Sequence, residues 1–158
     1  MTPEFDLTDA HLAAATVADC PTLAALARSA HSHPWGERQY RDSLEAGHDG
    51  WLLWSPEGEA IACCVISRLF DAAEILDIAV APRWRRRGVA GALLRQLLAQ
   101  LPPEIERVLL EVRASNRAAR SLYRKLGFRE DGLRKNYYPA DGGAREDAVL
   151  MSLHRQHP

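Results

Sequence analysis

The spacing of apolar positions along this chain switches repeatedly between a period near two and a period near 3.6. Alternation and short apolar runs predict strands at residues 12–17, 51–54, 60–67, 74–81, 107–113, 128–136 and 147–153. Helical spacing predicts helices at 21–32, 37–46, 88–101 and 117–126. Local signals mark several ends. Asp19 is placed to cap the first helix, with Pro21 in its first turn, and Asn116 is placed to cap the last. Leu101-Pro-Pro stops the third helix, and Gly127 takes the left-handed closing position of the fourth. The order βααβββαβαββ predicts an α/β fold in three layers, a central mixed sheet with helices on both faces.

The most informative stretch is EILDIAVAPRWRRRGVA at 74–90. From Ile75 to Val80 both alternate sets of positions are apolar except at Asp77, which suits a strand covered on both faces. Pro82 ends it. Arg85-x-x-Gly88-x-Ala90 then opens a helix whose apolar face carries Leu93, Leu94, Leu97, Leu98 and Leu101. The first amides of a helix have no partner inside it, and the macrodipole is positive at that end. Gly88 lets a ligand approach the backbone, and the small Ala90 keeps the approach open. The turn is built for an anion such as a pyrophosphate, held by the backbone amides of residues 85–90.

Composition narrows the classes. At 158 residues, 47% hydrophobic and 26% charged, the chain reads as one soluble domain spanning 1–158, with its core at about 8–153. No apolar run reaches membrane-spanning length and the first residues are acidic, so a cytoplasmic location without membrane contact is expected. Cys20, Cys63 and Cys64 read as reduced core thiols, and no metal-ligand spacing occurs. The net charge of −1 hides a split. Residues 1–80 hold four arginines and no lysine against 13 acids, whereas 81–158 hold 16 basic residues against eight acids. A basic half suits a phosphate-rich ligand and an acidic half suits a cationic macromolecule, unless the charges pair within the fold. The arginines at 83 and 85–87, with Trp84 among them, also fit a nucleic-acid surface. The cluster stops where the anion turn begins, so direct nucleic-acid contact is not expected.

Arg85-x-x-Gly88-x-Ala90 resembles the acyl-CoA-binding motif of the GCN5-related N-acetyltransferases (GNAT). Three further segments, AHSHPW at 30–35, LEVRASNRAARSLYRKLGF at 110–128 and NYYPADGGARED at 136–147, resemble the RimI-type members of that superfamily. Those enzymes acetylate the N-terminal alanine of a small-subunit ribosomal protein. The resemblance implies the GNAT fold, acetyl-CoA as cosubstrate without a metal, and a ribosomal-protein N-terminus as partner. It implies cofactor contacts from Ile78, Ala79, Val80, Arg85, Arg86, Arg87, Gly88, Val89, Ala90, Asn116 and Tyr123. It assigns Glu111 as general base, acting directly or through water, and Tyr123 as general acid. His33, Pro34, Trp35, Tyr137 and Tyr138, expected on two loops, would frame the peptide entry.

Plainer roles stand beside these. Glu111 would also be satisfied by an ion pair with a neighbour such as Arg113, Tyr123 by packing beside Leu122 and Leu126, and Trp35 as a plug between helices. Asn116 caps a helix in any case. Asp77 is the second candidate base, or an ordered polar residue in its strand. Two other functions fit parts of the pattern: acetylation of lysine side chains or small amines, and acyl-CoA binding or scaffolding without catalysis.

Overall fold

The computed structural model describes residues 5–155, so the ends of the expected span, 1–4 and 156–158, lie outside it. The strands are β1 (His11–Ala14), β2 (Asp49–Trp54), β3 (Ala60–Leu69), β4 (Ala72–Val80), β5 (Arg107–Arg113), β6 (Arg129–Pro139) and β7 (Arg145–His154). The helices are α1 (Cys20–Ala30), α2 (Glu37–Glu45), α3 (Val89–Gln100) and α4 (Arg117–Lys125). The element order is the one the apolar pattern predicts. The sheet is mixed, in the order β1-β2-β3-β4-β5-β7-β6, with β4 and β5 parallel. Among the described residues no helix is long and apolar enough to cross a membrane.

The chain resolves into two compact units, one of residues up to Ser67 with Leu76–Gln100, the other of Arg68–Ile75 with residues from Leu101 onward. In the first unit, β1, β2 and β3 pair as an antiparallel meander. Its core joins Leu23, Ala24 and Ala27 of α1, Tyr40 of α2, Leu52 of β2, Cys63 and Val65 of β3 and Ala79 of β4. Cys20 and Cys63 belong to this core, and all three cysteines are free and buried. The segment Ile75–Val80 is less covered than its composition predicts. Ile75 and Ala79 are buried, but Leu76, Ile78 and Val80 are only half-buried.

Asp19 departs from its expected role. Its carboxylate accepts from the Thr16 amide at 2.8 Å and makes no side-chain cap on α1. It closes the turn that leads into the helix, while Pro21 sits in the first helical turn, where its missing amide costs nothing.

In the second unit β7 is central, antiparallel to β5 on one side and to β6 on the other. Val108, Leu110 and Val112 turn one face of β5 inward, leaving Leu109, Glu111 and Arg113 half-buried on the other. Asn116 caps α4 as expected, its side chain accepting from the Ala119 amide at 3.1 Å. Glu130 of β6 accepts from Arg120 at 2.8 Å and also from Arg124, tying α4 to the strand. Gly127 turns the chain out of α4 at a φ of 103°, and a β-carbon there would lie 3.1 Å from Leu153 Cδ1. Gly127→Ala is expected to cost about 1–2 kcal/mol of stability, because it adds both left-handed strain and that contact. Urea denaturation of the variant measures the loss.

Candidate active site

The anion turn lies in the first unit. β4 ends at Val80, residues Pro82–Trp84 form a single 3-10 turn, and α3 begins at Val89. Between them Arg86 has a φ of 61° and Gly88 one of 76°, with Arg87 between them on the ordinary side. Backbone that alternates in handedness turns successive amides toward one point, the geometry of an anion nest. The first bond within α3 runs from the Ala92 amide to the Gly88 carbonyl at 3.1 Å, so the amides before it face out of the helix end. This backbone fits a pyrophosphate.

The arginine side chains largely serve the protein itself. Arg83 pairs with Glu59 at 3.2 Å, and Arg83 and Arg87 lie 5.7 and 4.9 Å from the centre of the Trp84 ring. Arg85 donates to the Ala30 carbonyl at the end of α1. The His31 Nε2–H donates to the Ile78 carbonyl at 2.8 Å, holding the end of α1 against β4. His33 is exposed beside Ser32. Trp35 is half-buried with its ring 5.2 Å from that of Tyr40, an arrangement that suits a plug.

Asp77 is not free to act as a base of ordinary strength. The Tyr40 hydroxyl, fully buried, donates to Asp77 Oδ2 at 2.5 Å. Burial raises the Asp77 pKa from its ordinary value of 3.8, with the Tyr40 bond and nearby His31 pulling the other way. The folded state therefore holds this proton more tightly than the unfolded chain does. The stability tied to it is full below 3.8 and is lost as pH rises through the higher folded value. Asp77→Asn does not titrate, so its stability deficit against wild type is expected to narrow as pH rises from 3.8 through the higher folded value. Denaturation curves across that range measure the narrowing, and a constant deficit would contradict it.

The second unit holds the other candidates. Glu111 sits opposite Leu150 of β7, which in turn sits opposite Gly132 of β6. Two residues along, Arg113, Ala148 and Arg134 form the next row on the same face. Paired residues in an antiparallel sheet share a face, so Glu111, Arg113 and Arg134 project together, with the small Ala148 between the two arginines. Glu111 does form an ion pair, the plainer role open to it, but with Arg134 at 3.2 Å rather than with Arg113. Arg113 pairs instead with Glu146 at 3.2 Å and donates to the Pro139 carbonyl at 2.8 Å.

Tyr137 and Tyr138 lie within β6, not on a loop as expected. The register slips between Arg134 and Tyr138, and Asn136 has a φ of 52°. The slip is clamped from β7: Asp147 accepts from the Asn136 amide at 3.0 Å, and Arg145 donates to the Asn136 and Tyr137 carbonyls at 3.1 and 2.7 Å. Glu111 raises the Tyr137 pKa, chiefly by its charge and also by accepting the phenol's hydrogen bond. Burial, then the Glu111 charge, pushes Tyr138 up to about 12. The two rings meet edge to face at 5.0 Å, under the guanidinium groups of Arg134 and Arg113. Glu111, Tyr137 and Tyr138 thus come together. Arg134, Arg145 and Asp147 were not singled out from sequence, although the last two lie within the ARED segment. Tyr123 is buried on α4, its ring 5.8 Å from Phe128.

A family model described as "Acetyltransferase (GNAT) family" matches residues 20–128 and runs through both units. The chain belongs to the GNAT acetyltransferase family. A curated relative, [ribosomal protein bS18]-alanine N-acetyltransferase of Escherichia coli K12, is 37% identical over 136 residues, covering 85% of this chain and 90% of its own. The crystal structure of the ribosomal-protein-S18-alanine N-acetyltransferase from Escherichia coli superposes with a TM-score of 0.87 at 33% identity, covering 94% and 96% of the two chains. A GNAT acetyltransferase from Elizabethkingia anophelis, solved with acetyl-CoA bound, shares the fold at a TM-score of 0.76 and 24% identity, covering 93% of this chain and 99% of its own. The expected GNAT fold is therefore the observed one.

Proposed function

We propose that this GNAT enzyme transfers an acetyl group from acetyl-CoA to the N-terminal alanine of a small-subunit ribosomal protein. The likeness to the bS18-alanine acetyltransferase over nearly the full length of both chains supports it. Within the molecule, the observation that carries it is Glu111, a half-buried carboxylate flanked by two phenols and paired with one exposed cation. That is a place to receive an amine.

Acetyl-CoA supplies an activated acyl carbon and a thiolate leaving group. The nest at 86–88, with the amides up to Ala90, would hold its pyrophosphate, with the strand segment Ile78–Val80 beside it. Tyr137 and Tyr138, beside Glu111, frame the acceptor. Glu111 takes a proton from the acceptor's ammonium, directly or through one water, so that the amine lone pair becomes available. As the carbon–nitrogen bond forms and the carbon–sulfur bond breaks, the Tyr123 hydroxyl gives its proton to the sulfur; the nitrogen sheds its surplus proton to solvent, and Tyr123 regains one from solvent. An α-amine suits this site. Its pKa of about 7.7–8.0, against about 10.4 for lysine, makes neutralisation near pH 7 about 3.4 kcal/mol less costly.

Mass spectrometry with acetyl-CoA and peptides differing only in their first residue tests the acceptor. Alanine-starting peptides are expected to be labelled, and the same peptides blocked by prior acetylation are expected to stay inert even when they contain lysine. Labelling of internal lysines would move the acceptor class to side-chain amines.

Two variants separate the catalytic roles. Glu111→Gln and Tyr123→Phe are each expected to lower kcat by about 10²–10⁴-fold. The Gln variant should recover in part at higher pH, where more of the amine is already neutral. The Phe variant should not, because alkaline solution supplies no better acid for the thiolate.

A further inference from the structure

We infer that Arg134 is the resting counter-ion of Glu111, a guanidinium that the acceptor's ammonium replaces, which makes it a positioning residue for acceptor binding. This rests on the proposed role of Glu111 as the group that receives the amine. A carboxylate in mid-strand is costly when unpaired, so an enzyme that leaves room beside it for a cationic substrate must cover the charge while the site is empty. Arg134 does this at 3.2 Å. The two partners differ in exposure: the Glu111 side chain is 18% exposed and that of Arg134 is 53% exposed.

The neighbouring pair shows what a permanent bridge looks like in the same sheet. Arg113 and Glu146 are 25% and 18% exposed, and Arg113 also donates to the Pro139 carbonyl while Glu146 accepts from the Ser115 amide at 2.8 Å. Neither can leave without breaking several bonds. Arg134 has one carboxylate partner and lies over the Tyr137 ring at 4.8 Å. It can swing outward into water and keep that ring contact. Regular pairing with Ala148 places Arg134, and the clamped slip that follows it holds the backbone at Asn136 and Tyr137. An arriving ammonium then takes over the charge that the guanidinium gives up. The carboxylate is never buried alone, and no net charge has to be created in the site.

Competition of this kind predicts an effect opposite to that of a lost structural contact. With saturating acetyl-CoA and an alanine-starting peptide, Arg134→Gln is expected to lower the peptide KM about two- to fivefold, the range of an exposed ion pair. Arg134→Lys, which keeps the cation, should return KM toward wild type. In a Glu111→Gln background, Arg134→Gln should leave KM unchanged, since no carboxylate remains to compete for. Binding of the N-acetylated product peptide, which has no ammonium, should be the same in Arg134→Gln and wild type by calorimetry. An unchanged or raised KM in Arg134→Gln overturns the counter-ion role, as does an equal tightening of the product peptide. Full kcat in Glu111→Gln overturns instead the underlying role of Glu111. Loss of kcat in that variant, with no fall in KM for Arg134→Gln, removes only the present inference.

Discussion

A carboxylate set into a β-strand must be compensated, and two of this chain's strand carboxylates, Asp77 and Glu111, are compensated in opposite ways. Asp77 is given a phenol: Tyr40 reaches from α2, fully buried, and its hydroxyl closes the site against further traffic. Glu111 is given a guanidinium from two strands across the sheet and a phenol at the edge, both of them reachable from water. The first solution gives a fixed polar contact inside a core. The second leaves a charge that a substrate can claim. Much of the local architecture follows from that difference, including the small Ala148 between the two arginines and the interrupted register of β6.

The elements were legible because each has a local cause. Asn116 and Gly127 delimit α4 through bonds and backbone angles that depend only on nearby residues. The anion turn was legible for the same reason, since glycine at position 88 and the start of a helix are both written in the chain. What escaped was long-range. Asp19 had two amides within reach, and which one it takes depends on the turn at Thr16. Glu111 had Arg113 two residues away in sequence, but its partner stands two strands across, at a position fixed only by the pairing of β5, β7 and β6. Tyr137 and Tyr138 read as loop because asparagine, proline and glycine surround them. The clamp from Arg145 and Asp147 draws them into a strand nonetheless.

The comparison of the two phenol pairs shows how little sequence distance has to do with role. Tyr40 and Tyr137 both hydrogen-bond to a strand carboxylate, yet one is fully buried and the other is 38% exposed. Burial decides whether such a bond is a permanent part of the core or one element of an open site. The same phenol chemistry serves both.

The slip in β6 also bears on how the molecule behaves among copies of itself. β6 is the last strand of the sheet and is exposed along nearly all of its 11 residues, with Leu133 standing out at 57% exposure. A straight edge of that length offers unpaired amides and carbonyls to any other extended chain. Here the ladder breaks twice, between Glu130 and Gly132 and again between Arg134 and Tyr138. Charged residues line it and Pro139 ends it. A foreign strand laid along this edge would find only short stretches of matching register before meeting a bulge or a charge. The irregularity that aims Tyr137 at Glu111 therefore also guards the sheet against growing by one strand at a time into an aggregate.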